Sequence, residues 1–246
     1  SMLHILVPGH GSASRTHTMT SNIAYLRQQI QFECTIFVYD TSITIPDNHF
    51  CQMIYKKGHW VDFMKDLRSN ASFIGLLIDD VVLGHVNVTR IIRDMKINQL
   101  DVLAPSVRSW HHPIMQKKYT HHLPYRNVLG ETPVFSSRIC PDGLRMTQYL
   151  DMLFVIFSSR AWSCWRSLFD VNNSYGWGYD LVFWHKCGMR MGIQDHDWIR
   201  HPEMSHITYS HRDARQSMFR FLMQQLPMNL SQVKRYRLDI LRGETL

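Results

Sequence analysis

The amino-acid sequence predicts an α/β fold with a mixed, mostly parallel sheet flanked by helices. Strand and helix patterns alternate through the first hundred residues, which is how parallel strands joined by helical crossovers read. Phe73 to Ile78 (FIGLLI) is a strongly apolar run stopped by two acids, as expected of a buried strand. With 246 residues, 45% of them hydrophobic and 19% charged, the chain can bury a substantial core.

Taken in order, Leu3 to Val7 is a short buried strand, closed by the turn-forming Pro8-Gly9-His10-Gly11. Ile23, Ala24, Leu26 and Ile30 recur at helical spacing, so a helix is expected from about Thr18 to Gln29. Phe32 to Tyr39 is β-branched and aromatic, a strand ending at Asp40. A weaker strand at Gln52 to Tyr55 and a helix from Trp60 to Arg68 precede the apolar run. Asn87 to Lys96 is helical by pattern, and Leu100 to Ala104 is a strand ended by Pro105.

From Trp110 to Asp142 periodicity fades among paired histidines and four prolines, which suggests long loops that shape a site. Beyond them, Tyr149 to Ser158 is a strand, Arg160 to Phe169 and Gly178 to Cys187 are helices, and Met189 to Ile193 is a short strand. Ser210 to Gln225 and Ser231 to Leu241 close the chain as helices separated by Pro227. No internal repeat, low-complexity tract or linker appears, so one domain over residues 1–246 is expected.

The formal charge of +7 favours anionic partners without choosing among them. The cations are dispersed and no nucleic-acid-binding motif is present, so nucleic acid is not an expected partner. No apolar stretch approaches the length of a membrane span, and no secretory leader is seen; Ser1 reads as a cloning remnant. Cys34, Cys51, Cys140, Cys164 and Cys187 are odd in number and lack a C-x-x-C pair, which predicts free thiols and a cytoplasmic protein.

Three clusters carry candidate chemistry. Asp79 and Asp80 sit at the C-terminal end of the buried run, where open α/β sheets bind ligands and where carboxylates can hold a divalent cation; equally, two acids can simply end a strand. In Ser174-Tyr175-Gly176-Trp177-Gly178-Tyr179-Asp180, glycines allow close approach, the rings of Trp177 and Tyr179 offer faces to a sugar, and Asp180 is either a base or an ordinary helix-start acid. Asp195-His196-Asp197-Trp198-Ile199-Arg200-His201 is dense in imidazole and carboxylate, and either histidine can complete a metal site or be structural. His111-His112 and His121-His122 read mainly as loop residues, and neither a zinc motif nor a P-loop or dinucleotide fingerprint is present.

In order and spacing, FECTIFVYD, KKGHWVDFMKDL, FIGLLIDDVVLGHVNVTRII, LDVLAPSV, FVIFSSRAWSCWRSLF, SYGWGYD and MGIQDHDWIRH resemble GT-A type glycosyltransferases over residues 32–201. The resemblance is to plant and algal glycosyltransferase-like proteins and their counterparts in large viruses of algae. It implies a GT-A-like, Rossmann-like nucleotide-sugar-binding fold, with a nucleotide-binding half over 1–105 and an acceptor half with C-terminal helices over 106–246. Asp80 and His201 would then hold Mn²⁺ or Mg²⁺, and Asp180 would be the catalytic base of an inverting enzyme. Pro8, Gly9 and Asp40 would line the nucleotide pocket, with Lys57 assisting at the diphosphate and Trp110 and Trp177 shaping the sugar and acceptor subsites. Ile78 stands where the D-x-D motif of the family has its first acid, which leaves Asp79 in the middle as a ribose contact.

The reaction so implied transfers a sugar from a nucleoside-diphosphate donor, expected to be UDP-linked with xylose or rhamnose as candidates. The acceptor would be an oligosaccharide or glycoprotein, in viral or surface glycan synthesis and, for a virus, in the host cytoplasm. A catalytically inactive carbohydrate- or nucleotide-binding module on the same fold is the alternative, motivated by Ile78.

Overall fold

The computed structural model describes residues 2–45, 50–65, 67–109, 143–147, 149–201 and 210–242. Trp110 and the paired histidines at 111–112 and 121–122 lie outside these residues, as does Cys140. The strands are β1 (Leu3–His10), β2 (Glu33–Val38), β3 (Gln52–Tyr55), β4 (Phe73–Leu77), β5 (Val82–His85), β6 (Val102–Ser109), β7 (Leu144–Thr147), β8 (Phe154–Ser158) and β9 (Met191–His201). The helices are α1 (Ala13–Arg27), α2 (Trp60–Met64), α3 (Val88–Ile97), α4 (Ser159–Ser167), α5 (Tyr179–Cys187), α6 (His211–Gln225) and α7 (Leu230–Arg242), with a 3-10 turn at Val171–Asn173.

Among the described residues these strands join one sheet in the order β3-β2-β1-β4-β8-β6-β9-β5, and β7 pairs with β9 on the same edge as β5, away from β6. β1 is parallel to β2 and β4, β2 to β3, and β6 to β9. β8 runs antiparallel to both β4 and β6, so those two point the same way. The C-terminal ends of β1, β2, β3, β4, β6 and β9 therefore open on one edge, which is where open α/β sheets place their ligands. Sheet and helices form the mixed, mostly parallel α/β architecture expected from the sequence.

Alternating side chains give the sheet two apolar faces. Leu6, Ile74, Leu76, Val155 and Phe157 pack with α2, α4, α5 and α6 on one face. Ile5, Val7, Phe73, Leu77 and Ile156 pack with α1 and α3 on the other. α3 shows why a helix forms there: Val88, Ile91, Ile92 and Met95 bury one stripe, and the Asn87 side chain caps the helix by accepting from the Arg90 amide at 2.8 Å. Gly75 leaves the room in β4 that its neighbours need, since a Cβ there would lie 2.5 Å from Ile5 Cδ1.

Several elements depart from the sequence reading. β1 runs through Pro8 and Gly9 to His10, and the expected turn is instead an irregularity in the β1–β2 ladder between Val7 and His10. β6 likewise continues past Pro105; the register against β9 shifts there, from Pro105 opposite Gln194 to Ser106 opposite Trp198. A bulge is where a strand tolerates proline, because no ladder hydrogen bond is lost. β9 is correspondingly longer than expected, and β5 and β7 were not anticipated.

The cysteines are also corrected. Cys34–Cys51 and Cys164–Cys187 are disulfides, not free thiols. The register Thr35 to Gln52 sets the two preceding residues, Cys34 and Cys51, opposite each other, a proximity created by strand pairing that no local spacing motif announces. Alkylation under denaturing, non-reducing conditions is expected to label at most Cys140, and all five cysteines after reduction. Opening either loop, of 17 or 23 residues, is expected to lower unfolding free energy by about 3 kcal/mol in urea titrations.

At the opposite edge of the sheet from the strand C-termini, buried His4 is held between Ser69 Oγ and Thr35 Oγ1, both at 2.9 Å. Burial pushes its pKa below 6.5, with Glu33 opposing the shift. The unfolded chain therefore takes up a proton that the folded chain resists, so stability is full above pH 6.5 and declines as pH falls below it. His4→Gln is expected to flatten the fall of Tm between about pH 7 and pH 5. An unchanged slope in thermal melts would assign the decline to other groups.

Candidate functional site

Sequence and topology build one cluster at the carboxyl edge. β4 ends at Leu77, and Ile78, Asp79 and Asp80 lead into β5 through a turn. Asn22 of α1 clamps that turn, its amide donating to the Val81 carbonyl at 2.5 Å and its oxygen accepting from the Leu83 amide at 3.0 Å. β5 then runs antiparallel to β9 with Val82 opposite Arg200, which carries His201 alongside the acids.

The two acids take different partners. Asp79, 2% exposed, bonds His10 Nδ1 through Oδ2 at 2.9 Å and Arg15 Nη1 through Oδ1 at 3.1 Å. His10 is fully buried, and its Nε2 meets Thr16 Oγ1 at 3.0 Å. Asp80 Oδ2 faces His201 Nε2 at 3.6 Å and Arg15 Nη2 at 3.7 Å, while its buried Oδ1 has no hydrogen-bond partner. Burial works against ionisation of Asp80, but His201 and Arg15 outweigh it and hold the carboxyl below its ordinary 3.8.

Around this cluster, Tyr39 donates its amide to the His10 carbonyl at 3.1 Å and lays its ring over the strand end. Gly11 is required there, because a Cβ would fall 1.9 Å from that ring. Pro8 is buried and Gly9 half-buried in β1. Asp40, just past β2, accepts from the Ser42 hydroxyl and amide at 2.6 and 3.0 Å, and those bonds hold its carboxyl below the usual value. Lys57 is exposed on the link between β3 and α2.

A second group is built on α2, which packs against β1. The Val61 amide donates to the Ser174 carbonyl at 3.2 Å, and the rings of His59 and Tyr175 lie 4.8 Å apart. The Asn173 side-chain amide donates to the Trp177 carbonyl at 2.8 Å. Tyr179 is fully buried among Phe169, Phe221 and Trp60, its hydroxyl accepting from the Asp170 amide at 2.8 Å, and burial pushes its phenol strongly upward. Gly178 enters α5 at φ 91°, a left-handed conformation that favours glycine, and a Cβ there would also press Met218 Cγ at 2.9 Å. Asp180 follows in the first turn of α5, half-buried, its Oδ1 accepting from the Leu181 amide at 3.0 Å.

Of the expected site residues, the structure brings Asp79, Asp80 and His201 together, and it sets Trp177 and Asp180 in the α2-linked group. His10, Arg15, Asn22 and Tyr39 were not foreseen. The third cluster is largely structural: buried Asp197 is forked by Arg90 at 2.8 and 3.0 Å and accepts from the Asn87 amide, while Asp195 pairs with Arg145. His196 is exposed, so His201 alone of that cluster meets the acid turn.

Among the described residues no three histidines, cysteines or acids gather as a metal centre. The pair that does meet, Asp80 and His201, still suits Mn²⁺ or Mg²⁺: Asp80 Oδ1 is an orphaned buried oxygen, and such ions in nucleotide sites use few protein ligands plus phosphate oxygens.

With the acid turn at its carboxyl edge, the sheet has a GT-A-like α/β fold, as its likeness to solved structures shows. Staphylococcus aureus TarS residues 1–349 in complex with UDP-GlcNAc match it with a TM-score of 0.60 at 10% identity, over 98% of this chain and 72% of that one. The same protein with UDP gives 0.57 at 10% identity over 98% and 71%, and alone gives 0.56 at 11% over 96% and 69%. Comparison with curated proteins returns no match. The chain belongs to the family described as "Protein of unknown function (DUF707)", whose model matches residues 55–235.

Proposed function

We propose that this protein is an inverting, metal-assisted glycosyltransferase that moves a sugar from a nucleoside-diphosphate donor, UDP-linked, to a carbohydrate hydroxyl. The observation that carries the reading is the acid turn of a GT-A fold with Asp80 and His201 facing each other at 3.6 Å. The TarS complexes with UDP-GlcNAc and UDP support the donor class.

Asp180 accepts the proton of the acceptor hydroxyl as its oxygen attacks the anomeric carbon. The bond from that carbon to the diphosphate breaks on the opposite face, which inverts the configuration. Asp80 and His201 are the residues that would hold Mn²⁺ or Mg²⁺, which when bound would supply positive charge to balance the diphosphate. Pro8, Gly9 and Asp40 border the nucleotide, Lys57 adds charge from the β3–α2 link, and Trp177 shapes the sugar side. Asp79 is assigned a positioning role in place of a ribose contact, since both its oxygens are already bonded to His10 and Arg15.

The test is a panel of nucleotide sugars, including UDP-xylose, UDP-rhamnose and UDP-GlcNAc, read by thermal shift with and without Mn²⁺ and then by transfer to glycans. A UDP-sugar that raises Tm only with Mn²⁺, and is turned over, is the expected result. Donor binding with no transfer to any acceptor would favour the inactive-module reading. No Tm shift with any donor would remove the proposal.

A further inference from the structure

Arg15 stands where it touches both acids yet holds them unequally. Its Nη1 lies 3.1 Å from Asp79 Oδ1, and its Nη2 only reaches to 3.7 Å from Asp80 Oδ2. The short contact is anchored from behind: Asp79 is bonded to fully buried His10, and His10 to Thr16, the residue after Arg15 on α1. The long contact is looser: Asp80 Oδ2 also faces His201 Nε2 at 3.6 Å, and its buried Oδ1 has no hydrogen-bond partner, on a side chain that is nine-tenths buried.

Charge counting gives this asymmetry a consequence. With the histidines neutral, two carboxylates and one guanidinium leave the bare site at about −1, a weak attraction for a divalent ion that must also sit beside Arg15. A diphosphate brings compensating negative charge, so ion and diphosphate suit the site together far better than the ion does alone.

We propose that Arg15 is a resident counter-cation that makes divalent-ion binding depend on the donor diphosphate. Tethered to Asp79, it neutralises Asp80 while the site is empty of donor, gives up the longer contact when ion and diphosphate arrive, and then faces the diphosphate. This inference rests on the metal-assisted reading above and assigns Arg15 a positioning and ordering role that neither Asp80 nor His201 can supply.

The experiment measures Mn²⁺ binding by the electron paramagnetic resonance signal of the free ion, with and without UDP, after correcting for Mn²⁺ bound to UDP in solution. For the wild-type chain, UDP is expected to tighten Mn²⁺ binding by about tenfold or more. In Arg15→Met, Mn²⁺ alone should bind about tenfold more tightly, and the enhancement by UDP should shrink to about threefold or less. Arg15→Lys keeps a charge and should stay within about threefold of wild type on both measures, and it serves as the test if the methionine variant does not fold: a lysine variant with uncoupled binding would then overturn the proposal.

A purely structural Arg15 predicts the reverse sign, weaker Mn²⁺ binding in Arg15→Met, and that result overturns the inference while leaving the glycosyltransferase reading intact. A folded wild-type chain that binds no Mn²⁺ even with UDP would overturn the metal-assisted reading, and the inference with it.

Discussion

Asp180→Asn is expected to lower transfer by about 10³-fold while donor binding and stability stay near wild type. The substitution keeps the shape of the side chain and removes its ability to take a proton. Asparagine is also tolerated in the first turn of a helix, and the position is only half-buried, so folding gives little reason for loss. A base predicts a kcat defect with KM almost unchanged, because proton transfer matters in the transition state and not in the bound donor. If Asp180 serves only as a helix-start acid, Asp180→Asn would instead show full turnover with a small drop in Tm. Steady-state kinetics with the best donor of the panel, beside thermal melts, separate the two.

The two halves of this site were unequally legible in the sequence. The run from Phe73 to Leu77 announces itself because β4 is covered on both faces, so its code is continuous apolarity ending at the acids. Asp80 and His201, 121 positions apart, were paired beforehand only through family resemblance; their contact depends on β5, which at four residues with Gly84 among them is too short to read as a strand. His10 and Arg15 are harder still. Both become partners of Asp79 only because β1 lies next to β4, and one histidine with one arginine at a strand–helix junction shows no periodicity.

The same limit explains the misread cysteines and the Asp195–Asp197 bulge. Cys34 meets Cys51 through strand register, and Asp197 meets Arg90 through the packing of α3 on β6 and β9. Local composition reports residue types that can bind metal. Whether they are already spent on a partner is decided by contacts 50 or more residues away.

The adjacent acids should therefore fail in opposite ways. Asp79→Ala removes the acceptor of a fully buried His10 and one end of Arg15, leaving two polar groups without their partner; breaking such a buried pair costs about 3–5 kcal/mol. For a chain of this length that corresponds to a fall in Tm of roughly 10 °C. Asp80→Ala takes away a carboxylate whose Oδ1 has no partner and whose nearest basic groups, His201 and Arg15, stand 3.6 and 3.7 Å off, so its folding cost should be about 1 kcal/mol or less. Its loss should appear in Mn²⁺-dependent donor binding instead. Urea unfolding and Mn²⁺ titration on both variants give the crossed pattern if Asp79 positions and Asp80 binds. Equal destabilisation by the two would mean the turn is a folding element throughout, and Asp80 would lose its claim as a ligand.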